Sequence, residues 1–498
     1  MFYYLLSLAL IALVSAYYFI KNRADPNRNL PSVSLPKLLY YFIKQIPLQI
    51  RDKDLLLPLF QQNKYIKFWF GKWFIMVADL ELIKAILMDS QTFIKFNQNE
   101  QFKEIVSLDK NIASIDGNDW KRHKRVINPA FKRGWEIDTF IKIGIKMIQY
   151  MKLNEGQFEL TKVLKSSTLD SLGLSIFDVD FDSIYNESSE IVSLYVKLIE
   201  SLNNLWIILF PFLEKLPIPS RMQLKKDAAR FRQLIKSIID DKREEIKEDG
   251  IDEVKSSLLT MLIQSSDKDN NDYSNGLTDE EIINDVIIFF IAGHDTTAHT
   301  LSTILYLLSK NQDIQDKLRN EVYQVLGGKA NNISKSIKIT QEELNKMIYL
   351  EAVIIEGMRN IPVVSALARQ ASKDYYFNNE ILLKKGQPLL LNFSLAMSNE
   401  KMFKCPEEFN PDRFLIKNGD GKIQINKKLT KDMIGFSVGP RMCIGTQFSI
   451  LEQKIFLILL ILNFKIELPD DSIHKDYPIL STFGLSSPQN LKLNFIPL

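Results

Sequence analysis

The chemistry in this chain gathers around one sulfur. Cys443 is one of only two cysteines in 498 residues, set in the run Phe436-Ser437-Val438-Gly439-Pro440-Arg441-Met442-Cys443-Ile444-Gly445. An amphipathic helix pattern follows at once through Leu451, Ile455, Ile458, Leu459 and Leu462. A cysteine at the mouth of a helix sits among unpaired backbone N–H groups and the positive end of the helix dipole, which favours its thiolate. Gly439 and Gly445 allow a tight turn and let a flat body approach the backbone. Arg441 offers a permanent charge to a carboxylate, and Phe436 supplies an aromatic wall that keeps water from the sulfur. These properties suit a thiolate bound to the iron of a flat cofactor with acidic side groups. A free cysteine taken alone is more often a buried structural residue. The spacing Phe-x-x-Gly-x-Arg-x-Cys-x-Gly favours the ligand instead.

A second constellation lies upstream in Ile287-Ile288-Phe289-Phe290-Ile291-Ala292-Gly293-His294-Asp295-Thr296-Thr297. The apolar part is too short to span a bilayer, and an acid with two threonines directly behind it is odd for a plain core helix. Ala292 and Gly293 leave room for a large neighbour. Thr296 is spaced to hydrogen-bond the Ala292 carbonyl, and such back-bonding distorts a helix locally. A distorted groove with a hydroxyl and a carboxylate suits proton delivery to bound dioxygen, with Thr296 and Asp295 as the catalytic candidates.

Together these runs resemble the haem-binding loop and the Ala-Gly-x-Asp-Thr-Thr oxygen-activation motif of the cytochrome P-450 family. Glu356-Gly357-Met358-Arg359 and Phe409-Asn410-Pro411-Asp412-Arg413-Phe414 resemble two further family segments, in the family's order. The resemblance implies a mainly α-helical domain with a small β-rich lobe, a b-type haem and a monooxygenase reaction. It makes Cys443 the iron ligand, and in this family the thiolate is known to push electron density onto the iron in a way that favours O–O cleavage. Glu356, Arg359 and Arg413 become a buried structural charge network. Trp120 and Arg369 become propionate partners, and Lys124 stands where the family has an arginine, without that residue's bidentate fork. Ala292 stands where family fatty-acid ω-hydroxylases often carry a glutamate esterified to haem, so the haem is expected to be non-covalent. After Arg359, the family's Leu-x-Pro-Pro is replaced by Asn360-Ile361-Pro362-Val363, which alters the nearby substrate wall. Electrons would come from NADPH through a flavin-containing cytochrome reductase, with cytochrome b5 as a second donor, docking on Lys121, Arg122 and Lys132. The substrate would be a lipophilic small molecule.

The elements that must position these groups can be followed along the chain. Residues 1–20 carry no charged side chain and are long enough to span a bilayer, with Lys21, Arg23 and Arg28 behind them. This reads as a single-pass endoplasmic-reticulum signal anchor with the body in the cytosol; a cleaved signal peptide is disfavoured by the lack of a positive n-region. Residues 21–37, with Pro26, Pro31 and Pro36, read as a stiff non-helical linker, and 38–498 as one catalytic domain. Tyr65 to Val77 reads as two strands turning at Gly71-Lys72, and Tyr376 to Leu391 as a hairpin. Asn118 to Arg133 is basic and expected to be helical as far as Pro129. Thr278 and Glu281 form a capping box opening a helix to about Lys310, about 48 Å long at 1.5 Å per residue. Trp206 to Leu213 is either core or membrane surface; Ser265 to Gly276 and Gly327 to Ser334 are polar breaks; Thr482 to Leu485 sits in a terminal turn that could close the pocket.

Composition limits the alternatives. A formal net charge of +3 gives no reason to invoke nucleic acid, and two cysteines make no disulfide framework. His294 and His299 are five apart, unlike the i, i+4 pair of a zinc helix. A reductase-independent haem-thiolate isomerase or dehydratase, or a non-catalytic haem-binding membrane protein, remain the rival readings; the Thr296 hydroxyl argues against the first.

Overall fold

A computed structural model describes residues 27–498, apart from 45, 71, 97–109, 155–157, 187–188, 203–206, 208–212, 215, 250–256, 267–275, 333–336 and 482–483. The expected anchor, the first part of the linker, most of 206–213 and most of 265–276 therefore lie outside the described residues. The linker is not irregular throughout. A helix starts at Leu35 with Pro36 in its first turn, where the missing N–H costs nothing.

Ten helices position the site: α1 (Leu80–Met88), α2 (Gly117–Lys132), α3 (Ile137–Leu153), α4 (Leu160–Leu172), α5 (Glu190–Leu202), α6 (Pro219–Asp249), α7 (Asp279–Gly293), α8 (Asp295–Lys310), α9 (Ile348–Asn360) and α10 (Thr446–Asn463). Local chemistry starts several of them. Asp79 caps α1 by accepting from the Leu82 amide. Thr278 and Glu281 cap α7 reciprocally, with Thr278 N–H donating to Glu281 Oε2 at 3.0 Å and Glu281 N–H to Thr278 Oγ1 at 3.3 Å. α2 runs through Pro129 to Lys132 rather than ending there, because Arg133 N–H still closes onto the Pro129 carbonyl at 3.2 Å.

A mixed five-stranded sheet lies to one side, in the order β1 (Tyr65–Phe70), β2 (Lys72–Val77), β7 (Pro388–Asn392), β4 (Ala366–Ala371), β3 (Phe93–Lys95). The expected hairpin is β5 (Tyr375–Phe377) with β6 (Ile381–Leu383), after which the chain leaves to join the large sheet as β7. Gly327–Asn332 is a 3-10 turn rather than an irregular break.

The largest apolar cluster joins α3, α4 and α7 to α10; a second lies between α1 and the sheet. Ile455 to Ile461 of α10 are buried on every side, so α10 is the central helix. Among the described residues it is the one helix long and apolar enough to cross a membrane, but 78% of it is buried inside the protein.

The long helix expected from Thr278 to Lys310 is two helices meeting at His294. Thr296 Oγ1 donates to the Ala292 carbonyl at 3.0 Å and Thr300 Oγ1 to the Thr296 carbonyl at 2.8 Å, the back-bonding that distorts helices. Across the break, Thr168 Oγ1 of α4 donates to the His294 carbonyl at 3.1 Å. The junction is thus tied to a neighbouring helix.

Candidate active site

The loop before α10 folds back on itself. Cys443 N–H donates to the Phe436 carbonyl at 2.9 Å, and Gly439–Arg441 form one 3-10 turn. Gly439 has φ +79°, and a Cβ there would stand 2.6 Å from the Leu87 carbonyl oxygen. Glycine is needed at this position so that the loop can close on the end of α1. Gly445 lines the cavity with Cys443, and a Cβ there would lie 3.9 Å from the Cys443 sulfur, an ordinary contact distance. Burial pushes the Cys443 thiol up, against the Gly445 amide and the Thr446 hydroxyl, which favour the thiolate. The helix-mouth bias is present but does not prevail over burial.

Cys443 opens onto a cavity of about 250 Å³ whose wall also includes Phe436, Arg441, Trp120, Lys124, Ala292 and Thr296. One edge of it carries Lys95, Lys124 and Arg441; Arg369 is not among its lining residues and reaches this edge only as the neighbour of Lys95. Arg369 on β4 stands directly opposite Lys95 on β3 in the antiparallel register, an arrangement of like charges that destabilises a sheet on its own. Arg441 donates to Asp116 Oδ1 at 3.1 Å and to the Ile115 carbonyl. Arg441 and Lys124 both approach the Trp120 ring, with the cations 4.5 and 4.8 Å from its centre, while Lys124 donates to the Pro440 carbonyl at 3.0 Å. The buried Arg369 guanidinium donates to the Ala368 carbonyl. Burial and the nearby Arg369 and Arg441 hold the Lys95 ammonium down at about 7; burial likewise lowers Arg369 and brings Arg441 to about 10. Among the described residues, Asp116 is the carboxylate acting on all three cations. A cavity with a sulfur in its wall, a glycine beside that sulfur and surplus buried cations at its rim fits a flat metal cofactor bearing two carboxylates. Lys95 and Asp116 belong to this edge, and sequence reasoning missed both.

Another part of the wall comes from α7 and α8. Ala292 and Thr296 line the cavity. Gly293 lines the cavity as well, beside Leu172 of α4, and a Cβ there would meet the Leu172 side chain at 2.6 Å, so its small size also serves helix packing. Asp295 is buried and faces away from the cavity, toward α4 and α5. Its carboxylate takes an ion pair from Lys165 at 3.1 Å and a hydrogen bond from the Tyr195 hydroxyl, with His294 Nε2 3.7 Å away. Burial works against the charged form, but His294, Lys165 and Tyr195 outweigh it and lower the pKa. Lys165 keeps 35% of its side chain exposed, so a single side chain links the buried carboxylate to solvent. Neither Lys165 nor Tyr195 could be singled out from sequence.

Behind the Cys443 loop, Glu356, Arg359 and Arg413 do meet. Arg359 donates to both Glu356 oxygens at 2.6 and 2.9 Å, and Arg413 donates to Glu356 Oε1 at 3.0 Å. Arg359 also serves the Met397 and Pro406 carbonyls at 3.0 and 2.7 Å. Of the terminal turn, Thr482 and Phe483 lie outside the described residues; just after it, Ser486 N–H donates to the Val363 carbonyl at 2.7 Å, and Ser487 meets His299 at 2.6 Å. None of its described residues lines the cavity.

A family model described as Cytochrome P450 matches residues 61–495. The chain is 28% identical over 414 residues to the probable cytochrome P450 6a20 of Drosophila melanogaster, covering 80% of this chain and 79% of that one. It is 27% identical over 428 residues to cytochrome P450 3A13 of Mus musculus, covering 83% and 80%. It is 28% identical over 449 residues to cytochrome P450 4e2 of Drosophila melanogaster, covering 85% and 80%. With that match spanning nearly the whole body, and a cysteine loop, a cationic rim and a threonine-bearing distorted helix sharing one cavity, the chain belongs to the cytochrome P450 family of haem-thiolate monooxygenases.

Proposed function

We propose that this monooxygenase hydroxylates a lipophilic small molecule with electrons passed from NADPH by a flavin-containing reductase, cytochrome b5 serving as a second donor. The observation that carries the reading is that Cys443 and Thr296 line one cavity. Ile112, Ala113, Ile288, Phe289 and Ala292 give the Thr296 side an apolar lining, which suits a substrate that leaves water readily. Haem b, held non-covalently because Ala292 has no carboxyl to esterify, supplies dioxygen activation and oxygen insertion when bound.

Each residue then has a role. Cys443 ligates the iron, and Lys95, Lys124, Arg369 and Arg441 hold the cofactor's carboxylates, with two of them against the Trp120 ring. Phe436 keeps the sulfur dry, and Gly445 lines the cavity with it. Thr296 holds a hydroxyl proton at the cavity wall while remaining bonded to Ala292. Asp295 recharges that wall from solvent through Lys165 and the break at His294. Glu356, Arg359 and Arg413 support the loop from behind.

The reductase surface differs from the sequence reading in one residue. Lys121 and Lys132 are exposed, but Arg122 is turned inward in a bidentate pair with Glu281 at 2.6 and 2.9 Å. Lys121 and Lys132 therefore face the partner and Arg122 does not. The anchor at 1–20, the linker to 37 and the single catalytic domain beyond it complete the proposal, with the body on the cytosolic side of the endoplasmic reticulum.

Thr296→Ala tests the proton role. General acid assistance contributes about 10²–10⁴-fold, so the variant should bind haem and substrate, still consume NADPH and oxygen, and release hydrogen peroxide in place of most product. Asp295→Asn should slow oxygen consumption without this diversion. An unchanged ratio of product to NADPH in Thr296→Ala would mean that protons arrive by another route.

A further inference from the structure

Asp285, two turns before Ala292 on α7, is fully buried, and the proton path does not use it. Its two oxygens hold two different elements. Oδ1 accepts the backbone N–H of Ile112 at 2.7 Å, and Oδ2 meets His123 Nδ1 of α2 at 2.6 Å. His123 is itself buried, with Nε2 3.6 Å from Glu281, and Glu281 in turn is gripped by Arg122. α2 thus presents Arg122 and His123 to Glu281 and Asp285, which stand one turn apart on α7.

The amide held by Asp285 belongs to the cavity wall. Ile112 and Ala113 line the space that Ala292, Thr296 and Cys443 also line. They sit on a stiff turn: Asn111 Oδ1 accepts the N–H groups of Ala113 and Ser114 at 3.0 and 3.1 Å, and the Asn111 carbonyl accepts those of Ser114 and Ile115 at 3.0 and 3.1 Å. The far end is fixed as well, since Arg441 holds the Ile115 carbonyl and Asp116, and Asp116 accepts the Lys95 N–H at 3.0 Å. A stiff turn clamped at both ends has little freedom left except how deeply its tip reaches into the cavity. That depth is set at the Asp285 end, because the Arg441 end is fixed to the Cys443 loop.

We propose that Asp285, oriented by His123, is a positioning residue for ligand selectivity: it sets how far Ile112 and Ala113 project over the cavity, and so which ligand shapes reach the metal. This rests on haem being bound at Cys443. A carboxylate suits the task because one oxygen can be spent on the ring while the other holds the amide, and the ring keeps the first from rotating away.

The test uses the ferric holoenzyme titrated with two probes, imidazole and 4-phenylimidazole, read by the Soret shift on binding. A wall moved by about one methyl group changes discrimination by about tenfold. Asp285→Ala should change the ratio of the two dissociation constants by that order while leaving imidazole itself nearly unaffected. Asp285→Asn, which keeps an oxygen for the Ile112 amide, should preserve the ratio. Ile112→Ala should change it alone, and adding Asp285→Ala to Ile112→Ala should change it little further, since coupled sites are not additive. Amide hydrogen exchange across 111–116 should quicken in Asp285→Ala without needing the cofactor. Equal weakening of both probes in Asp285→Ala, full additivity with Ile112→Ala, or an unchanged ratio in Ile112→Ala alone would overturn the proposal. If wild-type protein shows no thiolate signature, the haem reading fails instead, and unaltered exchange in 111–116 would still refute the clamp.

Discussion

Two buried charge clusters flank the Cys443 loop, and they are built on opposite principles. Behind the loop, Glu356 is met by Arg359 and Arg413, and the remaining Arg359 donors reach the Met397 and Pro406 carbonyls. Every strong donor there has an acceptor within the protein. At the rim, Lys95 and Arg369 face one another across β3 and β4, Arg441 lies beside them, and Asp116 is the nearby acid. The first cluster is complete and so serves the fold. Among the described residues the second is short of negative charge. Buried charges persist only when compensated, and the proposed haem, with its carboxylates, is the partner that would compensate this one.

The contrast can be broken most severely at the complete cluster. Arg359→Ala leaves the buried Glu356 with Arg413 as its one cation, beside the Asn410 amide, and breaking a buried pair in this way costs about 3–5 kcal/mol. Urea unfolding should register that loss, and soluble yield should fall whether or not haem is supplied. At the rim the opposite pattern is expected. On the proposed reading Arg369→Met removes a charge-assisted bond to the cofactor, about 1.5–3 kcal/mol, so haem should transfer to a haem-scavenging protein roughly 10–100 times faster. The stripped protein should be as stable as wild type or more so, because a like-charge contact with Lys95 has gone.

A smaller effect sharpens the same contrast by pH. In haem-stripped protein the Lys95 pKa is brought from 10.5 to about 7 by burial and its cationic neighbours. Between these values the unfolded chain binds more protons than the folded one, so the Lys95 contribution to stability rises with pH across about 7 to 10.5 and is lost as pH falls through 7. Chemical denaturation of wild type and Lys95→Met at several pH values should show the gap closing as pH rises. A gap that stays constant would mean that the ammonium is compensated within the protein.

How far these features were legible in sequence depends on whether the chemistry was local. The Cys443 loop, the Thr278–Glu281 cap and the Thr296 back-bond are each defined within ten residues, and their residue types carry the geometry. The rim was half legible. Arg441 is part of the loop, but Lys95 is one lysine in a short strand, and only the β3–β4 register brings it opposite Arg369. Arg122 looked like a docking charge because its partner, Glu281, lies 159 residues on. Ile112 and Asp285 are 173 residues apart and carry no motif. The break at His294 was foreseen as a distortion but not as an interruption, since the Thr168 hydroxyl that ties the junction comes from another helix. Gly293 was legible as a small residue on the cavity wall; that its size also admits Leu172 of another helix was not.

The central claim is that Cys443 ligates a haem iron through its sulfur, and the most direct measurement is the absorption spectrum of the reduced, carbon-monoxide-bound protein. The wild type and Cys405→Ser should both show the red-shifted Soret band of thiolate ligation. Cys443→His should lose that band while the far-ultraviolet circular dichroism keeps its helical form. A band that survives in Cys443→His, or that disappears in Cys405→Ser, would contradict the account.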